Sequence, residues 1–539
     1  MLRTWAGRLL PGLAAAALYL LLTLPNLDAV GLYYDEANQA PAAFAYVGRT
    51  PTRGTALSAG PVPVLNASYI GALKSGVYGL YLRISGRPFS ARSWRMTGLL
   101  FVAAGLVAFS ATAGGSLGSG ALALFFVLLL TDANFLLTTR HDYGPAALSF
   151  LLRLLFLSAW LAPLPPGPAA ARRRAAVMGA LLGVALFEKA TAVVLLPSLL
   201  ICLAWGPGRT ERGRWAAAAA GLAVGLIPLA AANLYTLLAG QGLISLIRIA
   251  KPWRGLPSPM EAFWFLREYL GLGQGLHAAW TILDVRRPSA LPDAEAVLMA
   301  LLLGLILYEG LRRRGSDDGS AAPAAAAAFL GVGAAMLLLP YRLDFHHLVI
   351  ATPFQYLALA LWSRHAARRT AGLGRLPRLL PFLPALIVLL RLPGLAAVGQ
   401  AQLSGRTGVM WDRSFTTVAE FAARNASRAV FVAADWGFAN QIYCLSQARE
   451  GVVFEPFWED GRPGGLDAAL AAAEGRAAIY VLTRKFRPPL RPERTRAALS
   501  AIAGLPGWVP AEVEPELASS RAIGVLKYVP RRSGAAATP

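Results

Sequence analysis

Apolar residues along the chain are grouped in long uninterrupted blocks that are separated by short polar segments. Blocks such as 117–137 and 379–398 have the roughly 20 residues that a helix needs to cross a bilayer. The pattern therefore predicts a multi-pass α-helical membrane protein. The eleven predicted spans lie at 9–27, 94–113, 117–138, 144–162, 175–187, 190–205, 215–238, 295–311, 323–340, 346–362 and 379–398.

The composition supports the same class of protein. Of the 539 residues, 56% are hydrophobic and 15% are charged, whereas about a quarter of a soluble globular protein is charged. This excludes a soluble enzyme, a secreted disulfide scaffold and a classical nucleic-acid-binding domain. The two cysteines, Cys202 in an apolar block and Cys444 near the C-terminus, predict no disulfide or zinc framework.

The net charge of +22 comes mainly from arginine, because lysine occurs only at positions 74, 189, 251, 485 and 527. Arginine clusters at 172–174, 209–214, 312–314 and 364–375 separate apolar blocks. Since positive residues accumulate in cytoplasmic loops, these clusters place the N-terminus in the cytoplasm, before an uncleaved first span. The exception is the uncharged turn 114–116, which is assigned to the inside, while the four arginines between 83 and 95 are assigned to the outside.

The stretch 66–84 has apolar residues at helical spacing, but it is too polar for a comfortable span. Ile70, Leu73, Val77 and Leu80 recur on one face, and Lys74 lies on another. The pattern predicts an interfacial amphipathic helix on the outer surface. The alternative is a twelfth span, which would place the acidic motifs at 35–36 and 142 on opposite sides of the membrane.

The chain is predicted to have three parts. Residues 1–398 form the membrane module, with outer loops at 28–93 and 239–295. Residues 399–530 form a small α/β domain outside the membrane, because 429–433 and 478–482 read as buried strands and 415–424 and 466–473 as helices. The low-complexity tail 531–539 is predicted to be disordered.

Four polar clusters lie at the outer ends of the predicted spans. Their members are Tyr34, Asp35 and Glu36; Arg140, His141 and Asp142; Glu188 and Lys189; and Arg342, His346 and His347. Carboxylates at a membrane edge are costly to desolvate, so each is exposed, paired or functional.

Each cluster also has a purely structural explanation. Asp142 has Arg140 as a local ion-pair partner, and Glu188 and Lys189 form an internal pair at a hairpin tip. The 341–347 cluster anchors the end of a span. Asp35 has no basic neighbour in sequence, so its structural explanation is the weakest. The adjacent histidines at 346 and 347 would supply two ligands to a metal, but no third ligand is assigned, so they are a weak signal for a metal site.

In this order, the motifs resemble the GT-C glycosyltransferases, and most closely the protein O-mannosyltransferase and aminoarabinose-transferase branch. The pair Asp35-Glu36 is similar to that branch's acidic pair after the first span, and Arg140-His141-Asp142 occupies the place of its second acidic motif. The segment 187–197 resembles its lysine hairpin, and 341–354 its late outer loop. The chain departs from the branch at His141, where an apolar residue is more usual, and residues 399–530 have no recognised counterpart.

The resemblance implies an inverting transferase in the bacterial cytoplasmic (inner) membrane, with its C-terminal domain outside. It would move one sugar from a polyprenyl-phosphate donor to a lipid, glycan or protein acceptor. Asp35 would act as general base, and Glu36 and Asp142 are the other catalytic candidates. Fixed cations would stabilise the leaving phosphate. The phosphate-binding candidates are Arg140, Lys189, Arg342, Lys251 and Arg254, and the other site candidates are Tyr34, His141, His346 and His347.

The resemblance requires no cofactor, although a divalent metal held by Asp35, Glu36 and Asp142 is the alternative arrangement. A secondary transporter or flippase of envelope precursors would also have about a dozen spans. In such proteins ionisable residues usually lie near the midplane and internal repeats occur, whereas here the charges gather at one face and no repeat is visible. A scaffold that binds an envelope partner would leave the acidic clusters without a role. The pattern favours an enzyme.

Overall fold

The structure is a computed structural model that describes residues 2–163, 167–205, 211–245, 255–286, 290–312, 321–339, 343–372, 377–456 and 465–531. In chain order, its helices and strands are α1 Leu2–Thr23, α2 Tyr34–Ala37, β1 Leu57–Ala59, β2 Val62–Ala67, β3 Ile70–Gly71, α3 Leu73–Ser85, α4 Ala91–Leu117, α5 Ser119–Leu130, α6 Ala133–Arg140, α7 Ala146–Leu161, α8 Pro168–Glu188, α9 Leu196–Trp205, α10 Gly213–Gly225, α11 Ile227–Leu238, α12 Pro259–Leu270, α13 Leu276–Leu283, α14 Ala290–Arg312, α15 Ala321–Leu337, α16 Phe345–Leu348, α17 Thr352–Thr370, α18 Leu383–Leu403, α19 Ser414–Arg424, β4 Ala429–Ala433, α20 Ala439–Leu445, β5 Val453–Phe454, α21 Leu466–Ala473, β6 Ala478–Arg484, α22 Pro492–Ala503, β7 Trp508–Ala511, α23 Pro515–Ala518 and β8 Ile523–Pro530.

The chain divides into two compact units. The helical unit comprises Met1–Leu27, Ala67–Lys74 and Arg95–Ser404, and the sheet unit comprises Asp28–Asn66, Ser75–Trp94 and Gly405–Pro539. This division differs from the predicted border at 398/399, because most of the outer loop 28–93 belongs to the sheet unit. Gly31 shows why: its N–H donates to the Trp411 carbonyl at 2.8 Å, and a Cβ at Gly31 would lie 2.0 Å from the Asp412 carbonyl oxygen.

The helices of the helical unit follow the predicted spans. Within the described residues, three helical segments are long and apolar enough to cross a membrane: Ala91–Leu117, Ala290–Arg312 and Pro377–Leu403. Two bent pairs, α5 with α6 (67°) and α10 with α11 (57°), raise this number to five, and shorter apolar helices lie at Gly7–Thr23, Ala146–Leu161, Ala190–Trp205 and Ala321–Leu337. The predicted spans 175–187 and 346–362 lie in α8 and across α16 and α17. The count of eleven crossings stays a prediction.

The stretch 66–84 is only partly helical. Residues 66–67 lie in β2, residues 68–69 form a turn, Ile70–Gly71 form β3, and α3 begins at Leu73. This corrects the prediction of a helix that begins at residue 66. The 13 residues of α3 measure about 20 Å at the helical rise of 1.5 Å per residue, which is shorter than the hydrocarbon core of a bilayer. Its apolar residues Val77, Leu80 and Ile84 are exposed, which suits the interfacial position.

The sheet unit has a five-stranded sheet with strand order β5-β4-β6-β8-β7. Strands β5, β4 and β6 are parallel, whereas β8 pairs antiparallel with β6 and β7. The strand β4 is buried on both faces: Phe431 packs with the cluster that includes α19 and α20, and Val430 and Val432 pack with α21 and α22. Residues 429–433 and 478–482 are strands, as predicted. The tail 532–539 lies outside the described residues.

A buried polar cluster joins the five helices α5, α6, α14, α17 and α18 inside the helical unit. The Arg391 guanidinium donates to Glu295 Oε1 (Nε–Oε1 2.9 Å), to the Tyr356 hydroxyl (2.7 Å) and to the Leu128 carbonyl (2.8 Å). The Tyr356 hydroxyl donates to Asp132 Oδ2 at 2.6 Å, and Asp132 Oδ1 accepts from the N–H of Phe135. Asp132 therefore caps α6 at the bend between α5 and α6.

Replacing Arg391 with methionine is expected to destabilise the helical unit by about 3–5 kcal/mol, because the carboxylates of Glu295 and Asp132 would stay buried without a cation. The control is Arg369→Met. Its partner Glu309 is 3.1 Å away and the pair is partly exposed, so a loss below about 1 kcal/mol is expected. The measurement is denaturant unfolding in detergent, and equal losses in both variants would contradict the explanation.

Candidate functional site

A buried ion pair in the helical unit joins Lys74 Nζ to Asp142 Oδ2, and neither side chain is exposed to solvent. The second carboxylate oxygen of Asp142 accepts from the N–H of Ala147 at 2.7 Å, so this carboxylate lies at the N-terminus of α7, where negative charge is favourable. The sequence offered Arg140 as the partner of Asp142. The guanidinium of Arg140, which is also buried, donates to the Pro25 carbonyl at 2.5 Å.

The tip of the hairpin between α8 and α9 lies beside the Lys74–Asp142 pair. Residue 189 forms an antiparallel bridge with Ile70, and Glu188 Oε2 accepts from the N–H of Leu73 at 3.2 Å. Lys189 Nζ donates to the Gly144 carbonyl at 2.5 Å. The structural explanation predicted from the sequence was an ion pair between Glu188 and Lys189. In the structure, Glu188 accepts from the backbone of Leu73 and Lys189 donates to the backbone of Gly144.

Gly144 allows the close approach of Lys189. Its φ is +68°, which favours glycine, and a Cβ at this position would lie 2.7 Å from Lys189 Nζ. The neighbouring Tyr143 ring contacts the His346 ring, with centroids 3.9 Å apart, and the rings of His346 and His347 are also 3.9 Å apart. The structure thus brings His346 of the 341–347 motif next to the second acidic motif through a tilted contact of aromatic rings.

We call Lys74, Asp142, Glu188 and Lys189 the lysine cluster. Burial raises the pKa of Glu188 to about 8, so this carboxyl is protonated at neutral pH. The cluster then has two ammonium groups and one carboxylate, and its net charge is positive. A buried site with excess positive charge is suited to an anionic ligand such as a phosphate.

Asp35 and Glu36, the first acidic motif, belong to the sheet unit and lie on the short helix α2. Glu36 is fully buried, and its carboxylate accepts from the N–H of Tyr33 at 3.4 Å. Glu36 therefore caps the helix. The side chain of Asp35 is partly exposed, while its backbone carbonyl accepts from Gln39 at 3.0 Å. Of the two acids, Asp35 has the exposure that a reacting base needs.

The remaining candidates divide into two groups. His141 is fully buried, and both its ring nitrogens have no hydrogen-bond partner in the part of the chain that the structure describes. The phosphate-binding candidates Arg342, Lys251 and Arg254 lie outside the described residues. Among the described residues, the structure contains no group of three or more His, Cys, Asp or Glu side chains that could hold a metal ion.

Lys74 is the member of the lysine cluster that the sequence interpretation did not name as a site candidate. It was assigned to the polar face of an interfacial helix, whereas the structure buries it against Asp142. A signal was present, because only five lysines occur in a chain with 51 lysines and arginines. In such a composition, a lysine between apolar residues is a rare feature that can be noticed in the sequence.

Comparisons with known proteins support the fold. No family model and no curated protein match the sequence. The crystal structure of ArnT from Cupriavidus metallidurans in the apo state has a TM-score of 0.57 and 13% identity, covering 95% of this chain and 97% of that one. The structure of ArnT from the same organism bound to undecaprenyl phosphate has a TM-score of 0.54 and 14% identity, covering 97% and 98%.

These two matches extend over nearly the full length of both chains. The apolar helices are those of a membrane protein. The particular fold is that of the ArnT structures, which confirms the resemblance to the aminoarabinose-transferase branch at the level of the fold.

Proposed function

We propose that this chain is an inverting glycosyltransferase that moves one sugar from a polyprenyl-phosphate donor to an acceptor on the outer side of the bacterial cytoplasmic membrane. The observation that carries the proposal is the lysine cluster, in which Lys74 and Lys189 are both buried and Lys74 is paired with Asp142. It occurs in a fold whose solved neighbour is bound to undecaprenyl phosphate. The N-terminus would lie in the cytoplasm, as the arginine clusters predict.

The lysine cluster would hold the donor phosphate. Transfer breaks the bond between the anomeric carbon and a phosphate oxygen, so negative charge develops on that oxygen. Lys74 and Lys189 provide fixed ammonium groups for this charge in a site shielded from water, where such contacts are strongest. A phosphate leaving group needs no general acid. The role of Asp142 is to hold Lys74 in place, and Gly144 does the same for Lys189.

Asp35 would act as the general base. It takes the proton from the acceptor hydroxyl as the hydroxyl oxygen attacks the anomeric carbon, and a single displacement inverts that carbon. Glu36, which caps α2, would position Asp35. No metal is required by this mechanism. If transfer depends on a divalent metal, the alternative set of Asp35, Glu36 and Asp142 would have to be tested as ligands.

The experiment that tests this function is a mass-spectrometric profile of envelope lipids and glycans from a deletion strain. The strain is complemented with the wild-type protein or with Asp35→Asn. We expect the deletion to remove one defined sugar and the wild type alone to restore it. An unchanged profile in all strains would contradict the proposal.

One observation favours a second candidate function. The buried cluster of Asp132, Glu295, Tyr356 and Arg391 places ionisable groups inside the helical unit, as is typical of transporters. In that case the chain would move a lipid-linked precursor across the membrane without breaking its sugar–phosphate bond. Release of free polyprenyl phosphate by the purified protein distinguishes the two functions.

The affinity for a lipid phosphate is expected to fall on the order of tenfold between pH 7 and pH 9. The pKa of Glu188, which is about 8 in the fold, lies above its ordinary value. The carboxyl therefore loses its proton within this window, and the net positive charge of the lysine cluster disappears. Because the pKa of Glu188 is higher in the folded protein than in the unfolded chain, the protonated carboxyl contributes to the free energy of unfolding at low pH. This contribution is lost as the pH rises from about 4.5 through about 8.

The matched variant is Glu188→Gln, which keeps an acceptor for the N–H of Leu73 but does not titrate. Binding of undecaprenyl phosphate is measured by native mass spectrometry across the pH range. The second ionisation of a phosphate, near pH 6, is complete below this window. A pH profile of Glu188→Gln as steep as that of the wild type would contradict the assignment.

A further inference from the structure

The carboxyl ends of the parallel strands in the sheet unit form an edge with polar residues. Asp435 follows β4, Glu455 follows β5, and Arg484 is the last residue of β6. Because β4 lies between β5 and β6, the chain crosses from one side of β4 to the other at this point. In open α/β sheets, ligands bind outside the carboxyl ends of the strands at such a switch point.

A buried ion pair fixes this edge. The Arg484 guanidinium donates to both oxygens of Asp435, from Nε at 2.7 Å and from Nη2 at 2.8 Å. Asp435 Oδ1 also accepts from the N–H groups of Trp436 (2.7 Å) and Leu490 (3.2 Å). Arg484 Nη1 is buried and has no hydrogen-bond partner in the described parts of the chain. The pair therefore holds the backbone of Trp436 in position, and Arg484 Nη1 is a hydrogen-bond donor beside it.

Aromatic rings from the first outer loop, residues 28–66, lie on this edge. The Tyr34 ring is 4.5 Å from the Trp436 ring, and Tyr33 stacks on Trp411 at 4.1 Å. Tyr33, Tyr34 and Trp411 are buried, whereas Trp436 is partly exposed. The cluster thus presents part of one aromatic residue to a ligand, beside the residue that precedes Asp35.

The sheet also holds the segment that carries Asp35. Asn440 donates to the Asn38 side chain at 2.9 Å, and Cys444 Sγ donates to the Ala37 carbonyl at 3.6 Å. Further along the loop, Arg53 pairs with Glu455 at 3.0 Å. The proposed base is therefore held by the same α/β domain that carries the partly exposed Trp436. A role in holding the base accounts for this domain within the enzyme.

We infer that the carboxyl edge of the sheet is the acceptor subsite and that it binds the sugar headgroup of a glycan acceptor. This inference rests on the proposed function, because it assumes that Asp35 deprotonates the acceptor. One face of a sugar ring consists of C–H groups with partial positive charge, which suits the negative face of Trp436. The hydroxyls at the rim of the ring need a few fixed polar groups, and Arg484 Nη1 is one.

The test is a transfer reaction with the purified full-length protein in detergent. The lipid extract of a deletion strain supplies the donor, and its deproteinised glycolipid fraction is the acceptor probe. Trp436→Ala is expected to raise the acceptor concentration for half-maximal transfer about tenfold. Binding of undecaprenyl phosphate, measured by native mass spectrometry, should stay within about twofold of the wild type.

Two further substitutions separate stacking from packing. Trp436→Phe keeps an aromatic face and should behave nearly as the wild type, whereas Trp436→Leu keeps apolar volume without that face and should behave as Trp436→Ala. Trp508→Ala is the control, because Trp508 is also a partly exposed tryptophan of this unit but lies on β7; its acceptor dependence should not change.

The outcomes distinguish this inference from the proposed function. A wild-type protein that releases no polyprenyl phosphate would contradict the function itself. An active wild type together with equal acceptor dependence in the phenylalanine and leucine variants would overturn the subsite alone. Transfer that requires the protein fraction instead of the glycolipid fraction would overturn the substrate class.

Discussion

Replacing Asp35 with asparagine is expected to lower the rate of sugar transfer by about two to four orders of magnitude, the usual contribution of a general base. The substitution keeps the shape of the side chain but removes its ability to take a proton. The partly exposed position of Asp35 on α2 predicts that the fold tolerates the change. The measurement is turnover at saturating donor and acceptor, with protein level and topology checked in parallel.

The control for this prediction is Asp28→Asn. Asp28 is an exposed acid in the same unit, and its partner Arg92 is 3.5 Å away at the surface. Its loss should leave turnover unchanged. Full activity in Asp35→Asn would remove Asp35 as the base, whatever the control shows.

The second large effect is expected at Lys74. Lys74→Met should weaken undecaprenyl phosphate binding by about tenfold to a hundredfold, because a charge-assisted contact contributes about 1.5–3 kcal/mol. It should also destabilise the protein by about 3–5 kcal/mol, because Asp142 would stay buried without its partner. A loss of binding in this variant alone would therefore have two explanations.

The double variant Lys74→Met/Asp142→Asn separates them. It removes both charges of the buried pair, so most of the stability should return, whereas phosphate binding should stay weak. Lys485→Met is the control, since Lys485 is an exposed lysine of the sheet unit that donates to the Ser520 carbonyl. Wild-type binding in the double variant would contradict the phosphate role of Lys74.

The helices and strands could be predicted from the sequence because apolar residues that become buried recur at regular intervals along each element. The apolar run at 379–398 becomes part of Pro377–Leu403, and the buried strand at 429–433 is found where it was predicted. The fold of the outer loop 28–66 could not be predicted in this way. Its position depends on contacts such as Gly31 with Trp411, which lie far apart in sequence and leave no periodic signal.

The candidate site could likewise be predicted only in part, because some of its contacts join residues that are far apart in sequence. Asp35 and Asp142 stand out because acids next to apolar blocks are costly to bury, and Lys189 stands out at a hairpin tip. Lys74 looked like one polar residue on an amphipathic helix, and only the folded chain shows it against Asp142. The role of Trp436 likewise depends on the Asp435–Arg484 pair and on Tyr34, which come together only when the sheet forms.

The proposed transfer breaks the bond between a sugar and a polyprenyl phosphate. The most direct measurement uses purified protein in detergent, where transport across a membrane has no meaning. Lipids of a deletion strain are added, and free polyprenyl phosphate is quantified by mass spectrometry, with and without EDTA. We predict its release together with a glycosylated acceptor, with no effect of EDTA and no release by Asp35→Asn. Wild-type protein that binds the donor but leaves it intact would contradict the account and favour the transporter.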